Sequence, residues 1–185
     1  MSRIEIRWHG RGGQGAVTAA VIVAEAAIVE GKYAQAYPEF GAERRGAPVR
    51  AYTRVDTNPI YTRAPIRNPD VVVVLDPSLP KELYLEGLKS GGYLIINTKK
   101  SVKEVYESIG RSDIRVAVVD ATRIALETLG VPIVNTAMVG ALVRVVPIAR
   151  IETIEEVIRA SFSGRLAEAN ISAVRRAYEE VKVST

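Results

Sequence analysis

The chain has 185 residues, enough for one domain with a sizeable core and no need of staples. Cysteine is absent, which excludes a disulfide framework, a thiolate nucleophile and any cysteine-ligated zinc or iron–sulfur cluster within the chain. A single histidine, His9, excludes a multi-histidine metal site, and the net charge of +4 is too mild to mark a nucleic-acid binder by itself.

In chain order, residues 3–8 alternate, with Ile4, Ile6 and Trp8 on one side, and predict a first strand. Gly10-Arg11-Gly12-Gly13-Gln14-Gly15 follows at once. Residues 16–30 read as a helix that is apolar nearly all round, broken only by Thr18 and Glu25. No apolar run approaches the roughly 18 residues of a membrane span. The stretch after the glycines resembles a signal peptide only superficially, because Glu5 precedes it and Glu25 interrupts it. A cytoplasmic chain with no membrane contact is expected.

A second strand is predicted at 33–37, a glycine- and charge-rich loop at 38–48 and an alternating strand at 49–55. Residues 70–75 form a continuous apolar run, as in a strand covered on both faces. Helix 80–88, strand 93–97, helix 101–110 and strand 114–119 follow, Ser101 and Glu104 forming a capping box. Helices are then expected at 121–129, at 135–146 with Asn135 as N-cap, at 153–161 and at 166–183. In the last, Ile171, Val174, Tyr178 and Val181 make an apolar stripe. Asp76 and Asp120, at strand ends, read as helix N-caps. This alternation predicts a single α/β domain over 1–185, Rossmann-like, with an open, mostly parallel sheet and helices on both faces. Residues 150–185 would be a C-terminal helical segment of that domain.

Gly10, Gly12 and Gly15 satisfy the spacing of a phosphate-cradling loop between strand and helix. The acid that a dinucleotide fold places at the end of the second strand is missing: that strand ends at Tyr37-Pro38, and Glu39 lies in a turn. The glycines therefore permit three readings: tight strand–helix packing, binding of another phosphate, or contact with a partner chain. Between Glu43 and Arg67 lie six arginines, at 44, 45, 50, 54, 63 and 67, against two acids, a patch suited to an anionic ligand or an acidic protein surface. His9, beside the glycine loop, reads as a hydrogen-bonded structural residue rather than a proton shuttle.

The glycine loop, then Pro38-Glu39-Phe40-Gly41 with Glu43-Arg44-Arg45-Gly46-Ala47-Pro48-Val49, then Asn135-Thr136-Ala137-Met138-Val139-Gly140-Ala141, together resemble the gamma subunit of pyruvate or 2-ketoisovalerate ferredoxin oxidoreductases. The resemblance covers most of the chain. It implies a compact α/β accessory subunit of an enzyme that oxidises a 2-oxoacid with coenzyme A to acyl-CoA and carbon dioxide, reducing ferredoxin. It implies alpha, beta and delta partner subunits, with ferredoxin met through the complex. Thiamine diphosphate with Mg2+ and the iron–sulfur clusters would be held by those partners. On this reading the chain carries no catalytic or metal residue. Gly10, Gly12, Gly13, Gln14, Gly15, Arg44 and Arg45 become candidates for contact with a phosphate or coenzyme A, and Glu43, Arg44 and Arg45 for an interface. The alternative is a stand-alone nucleotide-binding oxidoreductase using the glycine loop. A nucleic-acid module is disfavoured, because one Trp and two Phe offer few stacking platforms.

Overall fold

A computed structural model describes residues 2–39 and 44–185. Seven strands form one sheet: β1 (Ile4–Arg11), β2 (Tyr33–Pro38), β3 (Pro48–Asp56), β4 (Val71–Val74), β5 (Tyr93–Asn97), β6 (Arg115–Val119) and β7 (Lys182–Val183). Their order is β2-β3-β1-β4-β5-β6-β7. β1, β4, β5 and β6 are parallel neighbours, as the βαβ alternation predicts. β3 is inserted antiparallel between β1 and β2, and β7 pairs antiparallel with β6. The last helix therefore stops at Glu180 rather than 183, and the chain end returns as an edge strand.

The valines of β4 show why that strand reads as a continuous apolar run. Val71 and Val73 face one core with Ile95 and Ala117, while Val72 and Val74 face a second core with Leu94, Ile96 and Val116. The first core is the larger. It takes α1 (Ala16–Val29), α4 (Ala121–Leu129), α5 (Asn135–Val145), α6 (Ile151–Ser161) and α7 (Gly164–Glu180). The second takes α2 (Lys81–Leu85) and α3 (Val102–Ile109). Ser101 caps α3 with the predicted capping box, and Asp120 caps α4 by accepting from the Arg123 backbone N–H.

The alanines of α1 let it lie close on β1–β3. At the contact the Thr53 hydroxyl accepts from Trp8 Nε1 at 3.0 Å and donates to the Ala20 carbonyl at 3.0 Å. One hydroxyl thus satisfies the buried indole and ties two strands to the helix.

The other face of β1–β3 is polar. β1 presents Glu5, Arg7 and His9 there, opposite Arg54, Tyr52 and Arg50 of β3. β2 adds Gln35 and Tyr37 opposite Arg54 and Tyr52. The chain between β3 and β4 runs over this face, held by side-chain bonds to its carbonyls. Gln35 donates to Ile60 O, Tyr37 and Arg54 to Ala64 O, and Arg7 to Arg67 O.

α5 meets α7 through Gly140. A Cβ there would lie 2.1 Å from the Val174 carbonyl oxygen. Gly140→Ala would gain up to about 1 kcal/mol of helix propensity, but the clash is with backbone that cannot rotate away. We expect a net loss of about 1–3 kcal/mol, read as a lowered midpoint in chemical denaturation.

Candidate functional site

The glycine loop, the arginine loop and the segment around Asn135 meet in one place. β1 runs further than predicted, so Gly10 is a strand residue and the turn comes at Gly12–Gly15. Gly12 pairs in a parallel bridge with Arg45. Its N–H donates to Ala47 O at 2.9 Å, and its carbonyl accepts from Gly46 N at 3.2 Å. A Cβ on Gly12 would lie 2.4 Å from Arg44 O. The Arg44–Ala47 backbone therefore lies directly against this glycine.

Gly15 has φ +82 and stands directly before α1. A Cβ there would meet Asn135 Nδ2 at 2.4 Å. Asn135 is not the N-cap of α5. It lies within the helix, buried, after Val134, and its Oδ1 accepts from Thr136 N at 2.9 Å. It serves instead as the back wall of the glycine turn. Thr136 beside it donates to Asn170 Oδ1 of α7 at 2.8 Å. A Cβ at Gly13 would meet nothing within 4 Å.

Asp76, at the carboxyl end of β4, is also not a helix cap. Pro80 stands before α2, and Asp76 binds the glycine loop. Its Oδ2 accepts from Arg11 Nε at 3.1 Å and from Gln14 Nε2 at 2.9 Å. Its Oδ1 accepts from the Ser78 N–H and hydroxyl. Burial alone would raise its pKa. The Ser78 bonds, the Gln14 bond and the Arg11 charge outweigh this and hold the carboxyl below its usual range. Gln14 Oε1 closes the turn by accepting from Arg11 N at 2.6 Å. Arg11 reaches on to Gly46 O at 3.2 Å. Gln14 therefore secures the turn and Arg11 secures the arginine loop. The helix after β1 and the helix after β4 lie on opposite faces of the sheet, so this junction sits at the switch point where open α/β sheets form a crevice.

Arg44 and Arg45 are exposed on the pinned backbone. Glu43, the third interface candidate, lies outside the described residues, as do Phe40, Gly41 and Ala42. Among the described residues, no group of three His, Cys, Asp or Glu side chains could hold a metal ion, and no helix is long and apolar enough to cross a membrane.

His9 is buried, and its Nε2 accepts from Arg7 Nε at 2.8 Å. Burial, then the charges of Arg7 and Arg50, push its pKa down to about 2. It is a neutral acceptor, a structural residue as its position suggested. Arg7 was not legible as special, although the polar alternation of β1 puts it on the same face as His9.

Two outcomes follow. Gly12→Ala forces the Arg44 backbone away, lowers stability by about 1–3 kcal/mol, and speeds tryptic cleavage at Arg44 and Arg45. The lone His9 Hε1 resonance stays flat from pH 8 to pH 4, and a titration centred near 6.5 would contradict its burial. The unfolded chain binds this proton and the folded chain does not. The His9 contribution is therefore complete above pH 6.5 and falls by about 1.4 kcal/mol per unit as pH drops below it.

Residues 5–180 match the model of the family described as pyruvate ferredoxin/flavodoxin oxidoreductase. The chain is 56% identical over 181 residues to the pyruvate/ketoisovalerate oxidoreductases common subunit gamma of Pyrococcus abyssi, covering 97% of this chain and 98% of that protein. It is 49% identical over 180 residues to the pyruvate synthase subunit PorC of Methanothermobacter thermautotrophicus, covering 97% and 96%. The crystal structure of pyruvate oxidoreductase subunit PORC from Thermotoga maritima superposes with a TM-score of 0.89 over all of both chains, at 47% identity. The chain belongs to this family, and its fold is that of the PorC subunit.

Proposed function

We propose that this chain, as a gamma-type member of the pyruvate ferredoxin/flavodoxin oxidoreductase family, is the accessory subunit that presents Arg44 and Arg45 to the rest of a cytoplasmic complex. With no cysteine, the chain offers no thiolates to hold an iron–sulfur cluster for the electrons of a 2-oxoacid oxidation. Thiamine diphosphate, Mg2+ and iron–sulfur clusters then belong to alpha, beta and delta partners, and ferredoxin is met through them. Substrate choice between pyruvate and 2-ketoisovalerate belongs there too.

The observation that carries the reading is the position of the Arg44 carbonyl, 2.4 Å from where a Gly12 Cβ would stand. A loop held that firmly gives its two exposed guanidiniums a fixed origin. Guanidiniums suit phosphates and carboxylates because they bind bidentately and never lose their charge. In the family's reaction the anion of that kind is coenzyme A, and the arginine pair is its phosphate contact. Gly12, Gln14 and Gly15 act behind it, as the brace. The stand-alone dinucleotide enzyme loses its footing, since the same glycines are engaged by the chain itself.

The test is steady-state kinetics on the reconstituted complex carrying Arg44→Gln and Arg45→Gln. The reading expects intact assembly, kcat little changed and KM for coenzyme A raised about tenfold or more, the loss of a charge-assisted contact. Loss of assembly would make the pair an interface with a partner subunit instead. Unchanged kinetics with intact assembly would remove both roles.

A further inference from the structure

On the polar face of β1–β3, charge is unevenly matched. Arg54 meets Glu5 at 2.7 Å. Arg7, only 1% exposed, has no carboxylate within 4.0 Å among the described residues. Its donors go to neutral acceptors: His9 Nε2, and the carbonyls of Arg67, Tyr84 and Glu86. A buried cation held directly by dipoles, with Glu86 and Glu39 acting on it only from a distance, is costly to keep. Burial, then the nearby Arg50 charge, lowers its pKa from the ordinary arginine value.

Arg7 lines a cleft of about 530 Å³, together with Arg50 and the exposed Arg67. The acids in this cleft are Glu39 and Glu86. They approach Arg50 at 3.8 and 3.5 Å, with side chains 43% and 70% exposed. Pairs this long and this wet contribute little. Three guanidiniums thus share a concave site with two loosely held carboxylates.

We infer that this cleft binds a small oxyanion, the carboxylate or phosphate end of an organic molecule, which displaces Glu39 and Glu86 from Arg50. Arg50 is the clamp, able to offer both terminal nitrogens to one anion. Arg7 is a fixed source of positive potential, since four acceptors hold it in place before any ligand arrives. Tyr52, whose hydroxyl donates to Glu39 Oε1 at 3.1 Å, is freed to donate to the anion once Glu39 leaves. The volume lies within the range of small-molecule sites, so the cleft has room for the organic part that carries the anion. Every group named belongs to this chain, and the inference does not depend on the role given to Arg44 and Arg45.

The test is an NMR titration of the full-length chain with inorganic phosphate and, separately, acetate, at ionic strength held constant with chloride. His9 Hε1 is a single-residue reporter, because His9 Nε2 lies 2.8 Å from Arg7 Nε. A saturable shift with either anion is expected. Phosphate alone would assign a phosphate ester, and acetate alone a carboxylate. Arg50→Gln, with the amide spectrum otherwise unchanged, weakens binding about tenfold or more. Glu86→Gln strengthens it severalfold, because a competing carboxylate is gone. If Arg50→Gln does not fold, Glu86→Gln decides alone. A linear, non-saturating drift with both anions overturns the inference, as does affinity unchanged in Arg50→Gln or unchanged or weakened in Glu86→Gln.

Discussion

The chain crosses itself at Gly12, and the geometry of the junction follows from the hydrogen that this residue has in place of a Cβ. With 2.4 Å between that Cβ position and the Arg44 carbonyl, no other residue allows the two segments to exchange their backbone hydrogen bonds. The remaining contacts hold the crossing in place. Asp76 fixes Gln14 and Arg11, Arg11 fixes Gly46, and Asn135 closes the space behind Gly15. A spacing that serves phosphates in other folds here serves a second loop of the same chain. The partial positive charge at the start of α1 stays beside that loop.

The sheet answers two demands at once. Its β4–β6 half is covered by helices on both faces. Its β1–β3 half is apolar only toward α1, and the opposite face is a grid of paired polar side chains. Such a face stays stable because its donors find acceptors, several of them carbonyls of the chain running over it. Arg54 with Glu5 is a short pair, buried on one side. Arg7 is the exception: among the described residues no carboxylate forms a direct ion pair with it, and Glu39 and Glu86 act on it only from across the cleft. Polar order of this kind contributes less to stability than an apolar core would, but it places charge at fixed positions.

Much of this was legible in the sequence. The strands β1 and β4–β6, the capping box at Ser101 and the stripe of the last helix follow from periodicity and capping chemistry. The three motifs that carry the family resemblance were each visible as a string. Their meeting was not, because pairing between residues far apart in sequence leaves no local period. For the same reason the insertion of β3 between β1 and β2 was hidden, and so were the partners of Asp76. Asn135 looked like an N-cap by residue type, but Val134 takes that position and the amide turns to Gly15. β7 was missed because two exposed residues have no pattern to read. Arg7 was missed because one arginine in an alternating strand looks like a solvated face.

The most direct measurement is affinity capture of the tagged chain from its own host, with mass spectrometry of what co-elutes in stoichiometric amount. The account predicts a thiamine-dependent pair of chains and a cysteine-rich, ferredoxin-like chain in equal proportion with this one. A chain that elutes alone, folded and at full yield, would contradict its role as an accessory subunit.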